Sequence, residues 1–485
     1  MKPCILHVKD EVNVKIEGLE LDTRRKLSNK FKFEIPGARY MPAVRLGRWD
    51  GKVAFFQMGG STYINLLPEI LPILSSDGYD VTLNDVRDYE MDYALEPVTE
   101  DSYSDYVWPD KHPAAGQPIV LRDYQVEVIN NFIKSPQSLQ EVATGAGKTL
   151  ITAVLSHRCE HHGRTIVIVP NKSLVTQTEA DYANMGLDVG VFYGDRKEFG
   201  HAHTICTWQS LNILLKNTKN QVAPITIQEF LEDVVCIMVD EVHMAKADAL
   251  KTLLTGVMSQ IPIRWGLTGT VPKEDFEKIS LVCSLGPVTN QISASDLQDK
   301  GVLANCEVNV LQLIDTKEYT NYQSELKYLL EQTDRLDYIA STINQIKQTG
   351  NTLVLVDRIN AGKELEKRIP GSVFVSGGTK AQERKDHYDE IADSSDKVII
   401  ATYGVASVGI NIPRIFNLVL LEPGKSFVRV IQSIGRGIRK AEDKNFVQIW
   451  DVTSTCRFAK RHLTKRKKFY KEAKYPFNVQ KIDWS

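Results

Sequence analysis

The stretch Glu141-Val142-Ala143-Thr144-Gly145-Ala146-Gly147-Lys148-Thr149-Leu150 constrains the rest of the chain. It lies between an apolar lead-in and an apolar run that starts at Ile151. Two glycines around one small residue let the backbone turn tightly and aim its N–H groups at an anion. Lys148 adds a mobile positive charge, the Thr149 hydroxyl is placed to ligate magnesium, and the following helix offers its positive dipole end. The pattern predicts a triphosphate cradle from Ala143 to Thr149. Val142 stands where the full G-x-x-x-x-G-K-[ST] string has its first glycine, so this stretch alone also admits a plain Gly-rich turn.

A cradle of this kind needs a parallel sheet around it, and the pattern from about residue 119 supplies one. Leu121-Arg122-Asp123-Tyr124-Gln125 opens a helix. Apolar runs at Thr165–Val169, Thr204–Thr207 and Val234–Val239 read as buried strands separated by helical stretches, a doubly wound α/β sheet. The third run ends in Asp240-Glu241-Val242-His243. A carboxylate at the carboxyl end of such a strand, next to a cradle, is where magnesium is held, so Asp240 is assigned to the metal and Glu241 to the attacking water. Thr268, Gly269 and Thr270 follow another short apolar stretch and could link the nucleotide site to a second surface. A second alternating unit begins near residue 335, with strands at 352–356, 372–375, 397–402 and 417–421. It has no cradle. It has Gln432-Ser433-Ile434-Gly435-Arg436-Gly437-Ile438-Arg439, whose Arg436 and Arg439 share a helix face. Two arginines there suit a finger on the γ-phosphate held by the first unit.

The flanks are different. Residues 1–80 read as a small α+β domain in which Arg45, Arg48 and Trp49 interleave cations with aromatics, as nucleic-acid surfaces do; a solvated hairpin with a packed Trp49 is the rival. Residues 81–118 are acidic and tyrosine-rich with four prolines, a linker pattern. From Arg457 to Ser485 ten Lys or Arg face two acids; the interleaved aromatics read as a packed basic C-terminal helix that also contacts phosphates, with a merely solvated basic helix as the rival. The formal net charge is −2, so any basic surface must be local. At 485 residues the chain exceeds one core. The seven cysteines include no C-x-x-C pair, which fits a reducing cytosol and argues against a zinc ribbon. No apolar run approaches a membrane span, and the N-terminus lacks a signal-peptide core; the expected place is the cytoplasm, a host's if the source is viral. No internal sequence repeat is visible.

Taken in order, Arg122/Gln125, Ala143–Thr149, Val169-Pro170, Asp240–His243, Leu267–Thr270, Ala401–Ile412 and Gln432–Arg439 resemble the motif series of the superfamily 2 helicases. Arg45–Lys52, Thr402–Ile410 and the basic tail are most similar to the phage UvsW-type recombination and branch-migration helicases. The resemblance covers roughly residues 119 to 455. It implies two tandem RecA-like doubly wound parallel-sheet lobes with a small α+β N-terminal domain and a basic helical C-terminal tail. The expected division is a substrate-recognition domain over 1–80, an acidic linker over 81–118, lobe 1 over 119–305, an inter-lobe connection over 306–334, lobe 2 over 335–455 and a C-terminal extension over 456–485.

The resemblance also assigns roles. Arg122 and Gln125 would read the adenine, Ala143–Thr149 would hold ATP, and Thr149 and Asp240 would hold Mg2+. Lys148, Asp240, Glu241, Gln432, Arg436 and Arg439 would carry hydrolysis. His243, Thr268, Gly269, Thr270 and Gly409 would couple it to movement. Pro170, Asn171, Thr207, Trp208 and Gln209 in lobe 1, with Thr402 and Gly404 in lobe 2, would track the nucleic-acid backbone. Asn411 stands where many members have Asp. The implied function is an ATP-driven DNA translocase, acting as a monomer on branched DNA, with RNA–DNA hybrids as a further candidate substrate. An RNA helicase or a duplex-DNA translocase subunit would use the same motor. A nucleotide-gated clamp without unwinding would leave Glu241, Arg436 and Arg439 unexplained, and a small-molecule kinase would leave the second lobe unexplained.

Overall fold

The computed structural model describes residues 2–87, 93–109, 114–222, 224–242, 247–392, 394–409, 414–424 and 445–484. The chain divides into two compact units, Met1–Val142 with Gly147–Gln291, and Ala143–Ala146 with Ile292–Ser485.

The N-terminal part of the first unit has six strands, β1 (Lys2–Val8), β2 (Asn13–Glu17), β3 (Lys32–Glu34), β4 (Lys52–Ala54), β5 (Ser61–Tyr63) and β6 (Tyr79–Asp85). Four form a sheet in the order β5-β2-β1-β6, and β3 and β4 form a separate antiparallel hairpin. Cys4, Leu6 and Val8 alternate inward along β1 and meet Leu27 and Leu74 from the helices Leu21–Lys30 and Leu67–Ser76. This core does not close on itself: Phe276 and Cys283 belong to it. Phe55 and Phe276 lie 5.8 Å apart, the Lys251 ammonium sits 4.0 Å from the Phe55 ring centre, and Gln137 Nε2 donates to the Glu11 carbonyl at 2.6 Å. The small domain is therefore docked on the helices Ala247–Thr255 and Asp275–Leu285 and on the start of the strand Gln137–Val142 of the same unit.

Residues 81–118, expected as a linker, differ from that expectation. β6 runs on to Asp85, Val98 N donates to Asn130 Oδ1 at 2.8 Å, and the buried Tyr103 meets His157 Nδ1 at 2.9 Å. Of the tyrosines that made the segment look like a spacer, Tyr103 supplies a ring that is buried against the helix Lys148–Cys159.

The large sheet of the first unit holds β7 (Gln137–Val142), β8 (Arg164–Val169), β9 (Val189–Tyr193), β10 (Arg196–Lys197), β11 (His203–Thr207), β12 (Val234–Asp240), β13 (Ile263–Thr268) and β14 (Val288–Ile292). Its order is β10-β9-β11-β8-β12-β13-β7-β14. From β9 to β7 every neighbouring pair is parallel. β12 and β13 are buried along their whole length, as expected for strands covered on both faces. Arg264 in β13 is fully buried; its guanidinium donates to the carbonyls of Ser284, Met258 and Leu254 at 2.9, 2.6 and 2.5 Å.

The second unit holds β15 (Asn305–Leu313), β16 (Thr352–Val356), β17 (Val373–Val375), β18 (Val398–Thr402), β19 (Asn417–Leu421), β20 (Phe446–Ser454) and β21 (Phe477–Ile482), all parallel, in the order β17-β18-β16-β19-β20-β15-β21. Two expectations change. Residues 306–334 are not a free connection, because β15 is a strand of this sheet and Leu326 and Leu330 enter its core. Residues 456–485 are not an appendage, because β21 extends the sheet beside β15. Counted along the chain, the six strands from β7 to β13 without β10 and the six from β15 to β20 have the same spatial order. The repeat that the sequence hides is present in the topology.

Candidate active site

In a parallel sheet the strand ends that share an edge are fixed by register, and loops leaving that edge meet. Here Asp240 pairs with Leu267, Thr268 with Glu141, Val239 with Ile168, and Thr207 with Val169. The edge thus gathers the residues after β7, β8, β11, β12 and β13, the same segments the sequence marks out.

The turn after β7 carries Gly145 at φ +91° and Gly147 at φ +78°. That region of backbone space is open to glycine. A Cβ on Gly147 would stand 2.6 Å from Gln125 Nε2, so glycine there lets Gln125 lie against the turn. Gln125 is buried, and its Oε1 accepts from the Arg122 backbone N–H at 3.0 Å; Arg122 itself is exposed. Ala143 and Ala146 are buried, and Ala146 N–H donates to the Ala143 carbonyl.

Lys148 opens the helix Lys148–Cys159, and its ammonium lies 2.7 Å from Glu241 Oε1. Both side chains are buried, so neither charge has water to fall back on. Glu241 follows β12 directly at φ +51°. A non-glycine residue holds that backbone conformation only where its surroundings enforce it. Its Oε2 accepts from the Gly269 N–H at 3.2 Å, and its own N–H donates to Asp240 Oδ1 at 2.9 Å. Thr268 Oγ1 donates to the Thr270 carbonyl at 2.8 Å, which holds the 268–270 loop in shape. One carboxylate therefore joins the cradle lysine to that loop.

Asp181, on the helix Lys172–Asn184, has its carboxyl pushed up to about 6 by burial, an effect that the nearby Thr149 hydroxyl opposes. Sequence reasoning missed it: a single Asp inside a helix belongs to no motif. The donors available for a divalent ion, the Asp240 carboxylate and the Thr149 hydroxyl, are hard oxygens. Among the described residues no group of three or more His, Cys, Asp or Glu forms a metal cage. Few protein oxygens fit magnesium, which usually keeps waters and phosphate oxygens.

Of the expected backbone-tracking set, five residues meet at one edge. Asn171 Oδ1 caps the helix Lys172–Asn184, and Thr207 Oγ1 caps the helix Trp208–Lys219. Gln209 Nε2 donates to the Pro170 carbonyl at 3.3 Å. Asn171 Nδ2 and Trp208 Nε1 are buried with no partner among the described residues. In the second unit Thr402 ends β18, and Gly404 and Gly409 lie on the helix Tyr403–Gly409. His243, Asn411, Gln432, Arg436 and Arg439 lie outside the described residues. Arg45 and Arg48 are exposed, whereas Trp49 is half-buried and its Nε1 donates to the Lys52 carbonyl at 3.0 Å.

The basic tail forms a helix packed by Ala459, Leu463 and Tyr470, as expected, but one of its cations turns inward. Arg466, in its densest cluster, is not on a solvated or phosphate-facing side. It is buried, with its guanidinium on both Asp451 oxygens at 2.8 Å and on the Gly424 carbonyl at 2.7 Å. Such a forked, charge-assisted pair is among the stronger hydrogen-bonded contacts a protein makes. The exposed cations of that helix are Arg457, Lys460, Arg461, Lys465, Lys468 and Lys471.

A parallel sheet carrying this turn, acid pair and loop at its carboxyl edge defines a nucleotide-dependent motor domain, and family models identify which kind. Residues 118–273 match the model described as type III restriction enzyme, res subunit, and residues 332–441 match the helicase conserved C-terminal domain. The chain belongs to the superfamily 2 helicases, and its two parallel sheets are RecA-like lobes. It is similar to the ATP-dependent DNA helicase uvsW of Enterobacteria phage T4, with 23% identity over 96% of this chain and 93% of that one. It is also similar to the DNA 3'-5' helicase XPB of Kineococcus radiotolerans, with 24% identity over 75% of this chain and 65% of that one. The fold matches the fragment of a putative HsdR subunit of a type I restriction enzyme from Vibrio vulnificus at a TM-score of 0.57 and 18% identity, covering 97% of this chain and 85% of that chain.

Proposed function

We propose that this chain is an ATP-hydrolysing DNA helicase that remodels branched DNA such as forks, four-way junctions and R-loops. The observation that carries the motor is the Lys148–Glu241–Gly269 connection. In this arrangement the Lys148 ammonium is neutralised by Glu241. ATP phosphates compete for that ammonium, and its departure frees Glu241 Oε1 to accept the proton of the attacking water. Glu241 Oε2 stays on Gly269, so the 268–270 loop senses the change. Mg2+ on Thr149 and Asp240 would neutralise charge on the outer phosphates. Gln125 and Arg122 are assigned to adenine, and Gln432, Arg436 and Arg439 to the γ-phosphate.

The unsatisfied donors Asn171 Nδ2 and Trp208 Nε1 support a phosphodiester contact at the neighbouring edge, since buried polar groups ordinarily find partners. DNA as the polymer, and its branched form, rest on the similarity to the phage T4 helicase. The chain is taken to act as a monomer, with RNA–DNA hybrid among its substrates. A cytoplasmic site of action is consistent with the finding that no described helix is long and apolar enough to cross a membrane. The test is Lys148→Ala: hydrolysis is lost while DNA binding persists. Turnover retained in that variant contradicts the assignment.

A further inference from the structure

Between β3 and β4 the chain leaves the small domain for seventeen residues and returns to pair with itself. The base of this excursion is fixed. Ile35 N–H donates to the Gly51 carbonyl at 2.9 Å, Ala38 is buried, and a Cβ on Gly51 would stand 2.7 Å from the Ala38 methyl. Two short helical turns, Ala38–Tyr40 and Pro42–Arg45, build the tip, held by Arg45 N–H to Met41 O and Arg48 N–H to Ala43 O. A tip so constrained orders its side chains at little entropic cost.

What it presents is unusual for a solvated loop. Tyr40 is 70% exposed, Leu46 64% and Met41 37%. The Arg39 guanidinium covers the Tyr40 ring at 4.8 Å, and Arg45 and Arg48 are exposed beside them. No acid occurs between Ile35 and Trp49, and Asp50 is tied to Lys32 at 2.6 Å. Trp49, the aromatic that the sequence singled out, is turned to its own hairpin instead. Apolar side chains rimmed only by guanidinium groups suit a polyanion whose apolar faces can be reached: nucleic acid with unstacked bases.

We propose that this tip is a strand-separating wedge. Tyr40 stacks on a base exposed at the branch point, Leu46 occupies the gap left by the parted pair, and Arg39, Arg45 and Arg48 hold the flanking phosphates. This rests on the branched-DNA reading above and assigns the element that meets the branch. The experiment compares the wild-type chain with Tyr40→Ala, Leu46→Ser and Tyr40→Phe. It measures turnover with single-stranded DNA, unwinding of a model fork, and fluorescence of 2-aminopurine placed at the fork. Tyr40→Ala removes the stacking platform and is expected to slow fork unwinding about tenfold. Leu46→Ser acts in the same direction and Tyr40→Phe unwinds normally. Single-strand-stimulated turnover stays within about twofold throughout. The wedge is overturned if Tyr40→Ala and Leu46→Ser unwind like wild type, the result expected of a protein-docking surface, or if single-strand turnover falls in step with unwinding. Wild type with no DNA-stimulated turnover instead overturns the helicase reading, and the wedge with it.

Discussion

Glu241 holds Lys148 with one oxygen and Gly269 with the other, and this division predicts different phenotypes for the two ends. Glu241→Gln keeps the hydrogen-bonding shape and loses the proposed base. Its turnover falls by about 10²–10⁴ while ATP still binds, as fluorescent-nucleotide titration beside steady-state hydrolysis would show. Asp181 gives a second test. Its carboxyl stands beside the Thr149 hydroxyl, which is proposed above as a metal ligand. Asp181→Ala is therefore expected to weaken Mg-nucleotide binding by about tenfold, on the scale of one contact to a charged group. Nucleotide affinity measured in EDTA should be unaffected. Lys148, Asp240 and Glu241 could be singled out in the sequence because each sits in a short motif of fixed spelling, and the structure brings Lys148 and Glu241 to 2.7 Å. Asp181 was not, because it reaches Thr149 from a separate helix and only the fold sets that distance.

At the scale of elements, the second unit is held by buried charges. Arg335 donates to Asp315 Oδ2 at 3.3 Å and to Glu422 Oε1 at 3.0 Å, and all three are buried. Glu422 follows β19 at φ +42°, as Glu241 follows β12. The strand orders match, so Glu422 follows in the second lobe the counterpart of the strand that Glu241 follows in the first, and each carboxylate pairs with a buried cation. The motif pattern could not reveal this, because Arg and Lys serve the same end with different neighbours. Removing one partner of a buried pair leaves an uncompensated charge, so Arg466→Ala destabilises the protein by about 3–5 kcal/mol, whereas Lys465→Ala and Lys468→Ala on the exposed face change it by less than about 0.5 kcal/mol. Thermal unfolding separates the two classes. The tail's charge count had shown a basic helix; which of its cations turns inward depended on Asp451, fifteen residues earlier in β20.

Glu422 also predicts a pH dependence. Burial pushes its carboxyl up to about 7, above the ordinary 4.5. Between those values the folded chain binds a proton that the unfolded chain has released. Stability therefore falls as pH rises through that window, by at most about 1.4 kcal/mol per pH unit. Glu422→Gln flattens that part of the profile.

On the scale of the whole molecule, the α/β class and the order of the two lobes were readable from apolar runs and turns. The edges of both sheets were not. β10 is two residues long, and β15 and β21 carry polar residues such as Asn309 and Asn478, which pair with each other at 2.7 Å and so blur the apolar run. The docking of the N-terminal domain was hidden too, since contacts such as Phe55 with Phe276 join residues far apart in sequence.

The central claim, a DNA motor directed to branched structures, is tested most directly by steady-state ATP hydrolysis with a panel of nucleic acids: single-stranded DNA, blunt duplex, a model fork, a four-way junction, an RNA–DNA hybrid loop and RNA. The account predicts strongest stimulation by the fork and the junction. Stimulation by RNA alone, or equally by every member of the panel, contradicts it.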